Sequence, residues 1–364
     1  MRIGVLASGG GTNLQSIIDA CSAGGISGEV ALVVSNNSQA GALERARRSG
    51  IPALHVSSFT HPEPQLLDRI MLDALTEAGV DLVALAGYMK KLGPSILEAY
   101  ANKVLNIHPA LLPRFGGQGM YGMAVHRAVI AAGVPVTGPT VHLVNVQYDD
   151  GPILAQIEVP VVKDDTPHSL QKRVLKAEHR IYPETIEAYN RGTIAVYEGA
   201  VDTVIRPLCV SEEYTEAARI IRMAFRDAAD RFSVTENKYP SHPSFADSAQ
   251  LRGILENGGV FFGAFRNGAM FGCAGIEPFK HENDIWSLEK LAVLPDNRFS
   301  GLGSLLLDHA RKAVGKYGGN RITAGIIDAD TDLKNWYKRR GFTAAEIREV
   351  PGMPLNVRIM EKKI

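Results

Sequence analysis

In the run VLNIHPALLP an amide, Asn106, and an imidazole, His108, stand two residues apart. Strand side chains alternate faces, so Asn106 and His108 point one way while Leu105 and Ile107 point the other. A polar face at the end of a buried strand is unexpected unless something meets it. Pro109 then ends the strand ladder and fixes the exit of the chain. On its own such a pair is more often a hydrogen-bonded core pair, so the neighbours decide. Downstream, GPTVHLVNVQYDDGPILAQ carries His142 on a strand and the acidic pair Asp149 and Asp150 in a tight turn before Gly151. A carboxylate returning to a histidine would fix its tautomer and tune its basicity, as general acid or base work requires. His108, His126 and His142 lack metal-ligand spacing, so no metal is expected.

A second chemical signal precedes these. In ASGGGTN, residues 7–13, glycines join the first strand to the first helix. There the free backbone N–H groups and the helix dipole favour a phosphate. The loop also contains GxG at Gly9 and Gly11. However, Leu14 occupies the third glycine position, and VALVVSNN supplies no acidic residue for a ribose, which argues against a nicotinamide dinucleotide.

The elements that must position these residues follow from periodicity. Up to about residue 195, short apolar runs (RIGVLA, EVALVVS, PALHV, DLVALAG, KVLNIH) alternate with amphipathic segments, the pattern of βα units around a buried parallel sheet. NLQSIIDACSA, AGALERARRSG and QLLDRIMLDALTEAG read as helices, the last two closed by glycine. TPHSLQKRVLKAEHRIYPETIEAYNRG reads as a long closing helix with a Thr cap and Pro at its first position. Ligands are expected at the carboxyl ends of the strands.

The whole chain sets limits on partners. Its 364 residues exceed one ordinary domain, and we expect two, 1–195 and 203–364, with a boundary near 200. Lys+Arg and Asp+Glu both number 39, so charge offers nucleic acid or an anionic membrane no handle. Small-molecule substrates are the expected partners, and a homodimer is left open. Three scattered cysteines without a CxxC pair fit a reducing cytoplasm. No signal peptide is read at the start, and no apolar run is long enough for a membrane span.

In the second half, LEKLAVLPDNRFSGLGSLLLDHARKAV reads as a strand, a loop with Arg298, Gly301 and Gly303, and an amphipathic helix. An RxxGxG loop opening a helix again offers N–H groups, here to a pyrophosphate. ITAGIIDADTDLKNWYKRRGF reads as strand, turn and helix, with Tyr337 near the helix end. Glu289 on the strand before the loop is a candidate base, and FSVTENKYPSHPSFADS, which contains His242, a candidate acceptor-binding loop.

SGGGTNLQSII, LAGYMKKL, LNIHPALLPRF, GPTVHLVNVQYDDGPILAQ and RVLKAEHRIYP, in that order, resemble the phosphoribosylglycinamide formyltransferase family. The resemblance implies a Rossmann-like sheet with flanking helices and formyl transfer from 10-formyltetrahydrofolate to the amine of glycinamide ribonucleotide. It implies Asn106, protonated His108 and Asp149 as the catalytic trio. Gly11, Thr12, Asn13 and Glu178 would bind the ribonucleotide, Met89 and Leu92 the folate, and Leu112–Pro113 would be a cis peptide. Pro64 stands where some members place an arginine for the folate tail. Formyltetrahydrofolate hydrolases share the trio, and transferases acting on initiator tRNA or sugar nucleotides, or a noncatalytic sensor, are the other readings. The second half resembles the Gcn5-related N-acetyltransferases (GNAT), implying a mixed α/β domain. There Arg298, Gly301 and Gly303 would bind acetyl-CoA and Tyr337 would protonate the departing thiolate, with Asp330 replacing the usual asparagine. A noncatalytic acetyl-CoA-sensing module is the alternative for this half.

Overall fold

Strands without polar alternation build the first sheet, and all but their first residues are buried in β1 (Arg2–Leu6) and β2 (Glu29–Ser35). In this computed structural model residues 1–197, 203–280, 282–298, 300–348 and 356–364 are described. They divide into two units, Met1–Arg191 and Gly192–Ile364. The expected boundary near 200 lies outside the described residues.

The first unit continues with α1 (Thr12–Ser22), α2 (Gly41–Arg48), β3 (Ala53–His55), α3 (Pro64–Glu77), β4 (Leu82–Leu85), α4 (Pro94–Ala99), β5 (Val104–His108) and α5 (Met123–Ala131). After these come β6 (Val136–Thr137), β7 (Thr140–Leu143), β8 (Ile153–Gln156), β9 (Val159–Pro160) and α6 (Pro167–Asn190). The sheet order is β3-β2-β1-β4-β5-β7-β8, with β1 to β5 parallel and the last two antiparallel. The order reverses between β1 and β4, the place where such sheets open a crevice at their carboxyl ends. Leu6, Val34, Val83 and Leu85 pack with Met71 and Leu75 of α3, while Ala110, Val125 and Val129 pack with Leu170 and Val174 of α6.

Helix α6 starts as expected: the Thr166 hydroxyl accepts the Ser169 N–H at 3.1 Å, and Pro167 occupies the first turn. Its Tyr182 is fully buried, with the hydroxyl 3.0 Å from the Leu85 carbonyl and 2.9 Å from that of Leu105. This phenol bridges β4 and β5 beneath the residues of interest.

The second unit comprises β10 (Ala195–Tyr197), β11 (Thr203–Pro207), α7 (Ser211–Arg231), α8 (Ser248–Glu256), β12 (Val260–Arg266), β13 (Ala269–Phe279) and β14 (Glu282–Val293). These are followed by α9 (Leu302–Lys316), β15 (Arg321–Ile327), α10 (Thr331–Lys338), β16 (Thr343–Arg348) and β17 (Val357–Lys363). Among the described residues its sheet runs β10-β11-β12-β13-β14-β15-β17-β16. Leu302, Leu306 and Ala310 of α9 pack on one core with Ile276, Leu288 and Ile322. Among the described residues no helix is long and apolar enough to cross a membrane.

Removing the Tyr182 hydroxyl by Tyr182→Phe takes away the one O–H that the Leu85 and Leu105 carbonyls share. Its expected cost is about 1–3 kcal/mol of unfolding free energy, measured by urea titration of the full chain; an unchanged midpoint contradicts the bridging role.

Candidate active site

Antiparallel pairing of β5 with β7 sets Asn106 directly across from His142. His142 Nδ1 lies 2.8 Å from the Leu143 carbonyl, which can only accept, so this nitrogen carries the proton. Its Nε2 therefore presents a lone pair, which takes an N–H from Asn106 Nδ2 at 3.0 Å. On the same face, His108 Nε2 donates to the Phe115 carbonyl at 2.8 Å. Both rings are buried.

Asp149 enters between them. Its Oδ2 lies 3.4 Å from His108 Nδ1 and its Oδ1 3.6 Å from His142 Nε2, while the Gly117 N–H donates to Oδ2 at 3.0 Å. A left-handed backbone, φ 52°, turns this side chain inward, and Asp150 is exposed. Asp149 is thus the residue of the acidic pair that meets the histidines. Gly151 allows the turn to fold back, since a Cβ there would lie 1.8 Å from the Leu143 carbonyl oxygen.

Electrostatics follow from burial. Desolvation lowers the basicity of His108 more than Asp149 raises it, so its pKa falls below the ordinary 6.5. The protonated His108 that the resemblance implies for the reaction would therefore have to form against the ring's burial. The 3.4 Å gap to Asp149 is also longer than a charge-assisted hydrogen bond. Burial pushes the Asp149 carboxyl up; a proton on the facing nitrogen of His142 or His108 and the Gly117 N–H draw it below its ordinary value, and while both rings are neutral only the Gly117 N–H, among the described residues, donates to it. His126 of α5, buried nearby, is pushed down to about 4 by burial first and by His108 second.

The segment after His108 is held by side chains. Thr140 Oγ1 donates to the Ala110 carbonyl at 2.7 Å and accepts the Leu112 N–H at 3.0 Å, while Gln156 Nε2 reaches the Leu112 carbonyl at 3.0 Å. The Leu112–Pro113 peptide is cis, as the resemblance implied.

At the carboxyl end of β1, Gly11 takes φ 74° before α1, and a Cβ there would sit 2.7 Å from Ala42 Cα; only glycine fits. Thr12 and Asn13 form the first turn of α1, whose leading amides have no partner within the helix. Asn13 Nδ2 donates to Glu178 Oε2 of α6 at 2.6 Å, joining two candidate substrate contacts from opposite ends of the unit. Burial raises the Glu178 carboxyl, and Asn13 opposes this only in part. Met89 is 50% exposed, so it is not a core residue, whereas Leu92 is buried in the core and also lines a cleft of about 930 Å³ with Pro64, Arg69, Tyr88, Lys90 and Lys91. A second hollow, lined by Arg2, Asp19 and Glu29, lies at the amino ends of β1 and β2, away from the histidines.

In the second unit, among the described residues, β14 and β15 pair over Ile285–Ser287 and Arg321–Thr323, after which the parallel strands part. A bulge at Lys290, φ 49°, bends β14 there. The α9 loop faces solvent at Gly301, which caps the helix with φ 86° and has nothing within 4 Å of a built Cβ; a Cβ on Gly303 would meet Trp336 at 3.5 Å. The guanidinium of Arg298 is turned away to α7, bonded to Asp227 Oδ2 at 2.8 Å and to the Ala224 carbonyl. Phe299 lies outside the described residues. Tyr337 is buried against Trp336 and Phe342, and burial pushes its phenol well above the usual range. Asp330 caps α10 and pairs with Arg231 at 3.0 Å. Glu289 accepts the Ser287 hydroxyl at 2.6 Å. His242, a candidate acceptor contact, is buried and caps a turn, with Nδ1 2.8 Å from Ser244 Oγ.

Neither Phe115 nor Gly117 was singled out by sequence reasoning, since both act through backbone atoms. His142 was noted, but its bond to Asn106 depends on strand register.

Residues 221–342 match the Acetyltransferase (GNAT) family, and residues 1–186 match the Formyl transferase family. The chloroplastic phosphoribosylglycinamide formyltransferase of Arabidopsis thaliana is 45% identical over 188 residues, 51% of this chain and 64% of that protein. The chain thus spans a little under two thirds of that relative's length. The Escherichia coli (strain K12) phosphoribosylglycinamide formyltransferase is 38% identical over 200 residues, 55% of this chain and 92% of that protein. The crystal structure of glycinamide ribonucleotide transformylase 1 from Symbiobacterium toebii superposes with a TM-score of 0.52 at 46% identity, covering 55% of this chain and 91% of that one. With half its length matched, this chain belongs to the formyl transferase family.

Proposed function

We propose that the first unit transfers a formyl group from 10-formyltetrahydrofolate to the amine of glycinamide ribonucleotide. The observation that carries the reading is the cluster of half-buried Asn106 and Asp149 with buried His108 and His142 at the carboxyl edge of a sheet whose first turn is a glycine loop opening a helix. The names of the relatives support the choice of acceptor. Gly11, Thr12 and Asn13 would meet the phosphate and Glu178 the ribose side. A hydrolase using water in place of the amine has no need of that phosphate loop.

The folate supplies the formyl carbon, with Met89 and Leu92 as its apolar contacts. Beside Pro64, the cations for its acidic tail are Arg69, Lys90 and Lys91. Asn106 Nδ2 has one N–H committed to His142, which orients the other for the oxygen that gains charge as the amine adds. His108 offers nitrogens of opposite character: Nε2–H, resting on Phe115, and a basic Nδ1 toward Asp149. A proton can leave Nε2 as another reaches Nδ1. The amine loses one proton and the departing nitrogen gains one, so His108 and Asp149 act as a relay with no net change.

For the second unit we propose acetyl transfer from acetyl-CoA to an amine. The parted strands β14 and β15 would admit the thioester arm, and the first amides of α9 behind Gly301 and Gly303 the pyrophosphate. With its guanidinium held by α7, Arg298 would contribute through its backbone. Tyr337, kept neutral by burial, is in the form needed to protonate a thiolate. Three cysteines outside any disulfide suit a reducing compartment for the whole chain.

His108→Ala and Asp149→Asn should each lower kcat for formyl transfer by about 10²–10⁴ with the unfolding midpoint kept; near-normal turnover in either contradicts the relay. In NMR titrations His108 should lose its proton below pH 6.5, and at still lower pH in Asp149→Asn, because the carboxylate favours the charged ring. A titration raised by that variant contradicts the electrostatics. Calorimetry should detect acetyl-CoA binding that is lost in Gly301→Glu and kept in Tyr337→Phe. Absence of binding by the unaltered chain overturns the second reading.

A further inference from the structure

Ser8 lies two residues past β1, at the point where the strand order reverses, and no role above uses it. From there it reaches the loops that follow both neighbouring strands. Its N–H donates to the Gly87 carbonyl at 3.0 Å, beyond β4. Its hydroxyl accepts the Met89 N–H at 2.8 Å. Because a backbone N–H can only donate, the hydroxyl proton is left for Asn36 Oδ1 beyond β2, at 2.5 Å. The Ser8 carbonyl takes a further N–H from Asn37 at 3.3 Å. One short side chain thus joins three loops.

Two of these loops have separate tasks in the proposed reaction. Ser8 opens the glycine loop that leads to Gly11, Thr12 and Asn13 on the acceptor side. Met89 belongs to the donor wall, a segment without regular structure between β4 and α4, and its side chain is half exposed. Ser8 holds that wall at two backbone groups, Gly87 O and Met89 N–H. The phosphate loop has other anchors: Ala42 N–H on Gly9 O at 3.1 Å and Arg45 Nε on Gly10 O at 2.8 Å. Loss of the hydroxyl would therefore remove the wall's tie at Met89, keeping only the backbone tie at Gly87, while leaving the acceptor loop docked on α2.

We propose that Ser8 is a positioning residue whose hydroxyl sets the distance between the donor wall and the phosphate loop, and so the approach of formyl carbon and amine. The proposal rests on the formyl-transfer reading, and wild-type turnover is the control that separates the two: no transfer by the wild-type chain overturns that reading itself.

Ser8→Thr keeps the oxygen, Ser8→Val replaces it with a methyl group of the same shape, and Ser8→Ala removes it without bulk. With an active wild type, Thr should stay within a fewfold of it. Val and Ala should both show a donor KM raised about tenfold, the scale of one lost hydrogen bond, and a lower kcat. Affinity for the ribonucleotide, measured by calorimetry, should be unchanged in all three. Equal behaviour of Thr and Val overturns the proposal, as does normal turnover in Ala. Parallel loss of ribonucleotide affinity also overturns it, because Ser8 would then merely support the phosphate loop.

Discussion

Asp149 is a carboxylate drawn out of water and held between two buried imidazoles, and the rest of the first site is arranged around that constraint. A buried charge is stable only when its neighbours replace the lost solvent. Here the Gly117 N–H does so directly, and the two rings, at 3.4 and 3.6 Å, can do so once protonated. The carboxylate has the opposite effect on His108, supporting positive charge where burial opposes it. The result is a ring that rests neutral yet can accept a proton at the nitrogen facing the acid. The carbonyls of Leu143 and Phe115 decide which nitrogen of each ring is basic, and Asn106 takes its orientation from His142. Thus the backbone, through two carbonyls and one N–H, determines what three polar side chains can do.

Much of this was legible from periodicity. Alternation alone puts Asn106 and His108 on one face of β5, and uninterrupted apolar runs mark the parallel strands. The cap at Thr166 and Pro167 was readable because capping is local chemistry. The choice between Asp149 and Asp150 was not, since it depends on a left-handed backbone angle at one of two adjacent, identical residues. Contacts across the chain were equally hidden: Asn13 meets Glu178 only because α1 and α6 pack together. The charge state of His108 required its burial, which spacing does not reveal.

In the second unit, glycine, arginine and tyrosine positions were legible as a loop-and-helix motif, but the direction of the side chains was not. Arg298 looked like an anion ligand, yet Asp227 and the Ala224 carbonyl on α7 hold it. His242 lies in a segment rich in exposed residue types, and edge contacts with Phe225 and Phe245 accompany its burial. The parting of β14 from β15 follows from where their pairing stops and from the bulge at Lys290, neither of which composition records.

The central claim is that the first site joins a formyl donor to a phosphorylated amine. It is tested most directly by supplying the full chain with 10-formyltetrahydrofolate carrying a ¹³C-labelled formyl group, together with glycinamide ribonucleotide, and following the label by NMR. The account predicts label in the formamide of the ribonucleotide, with little appearing as formate. Label released as formate at the same rate with or without the ribonucleotide would contradict it and identify water as the acceptor.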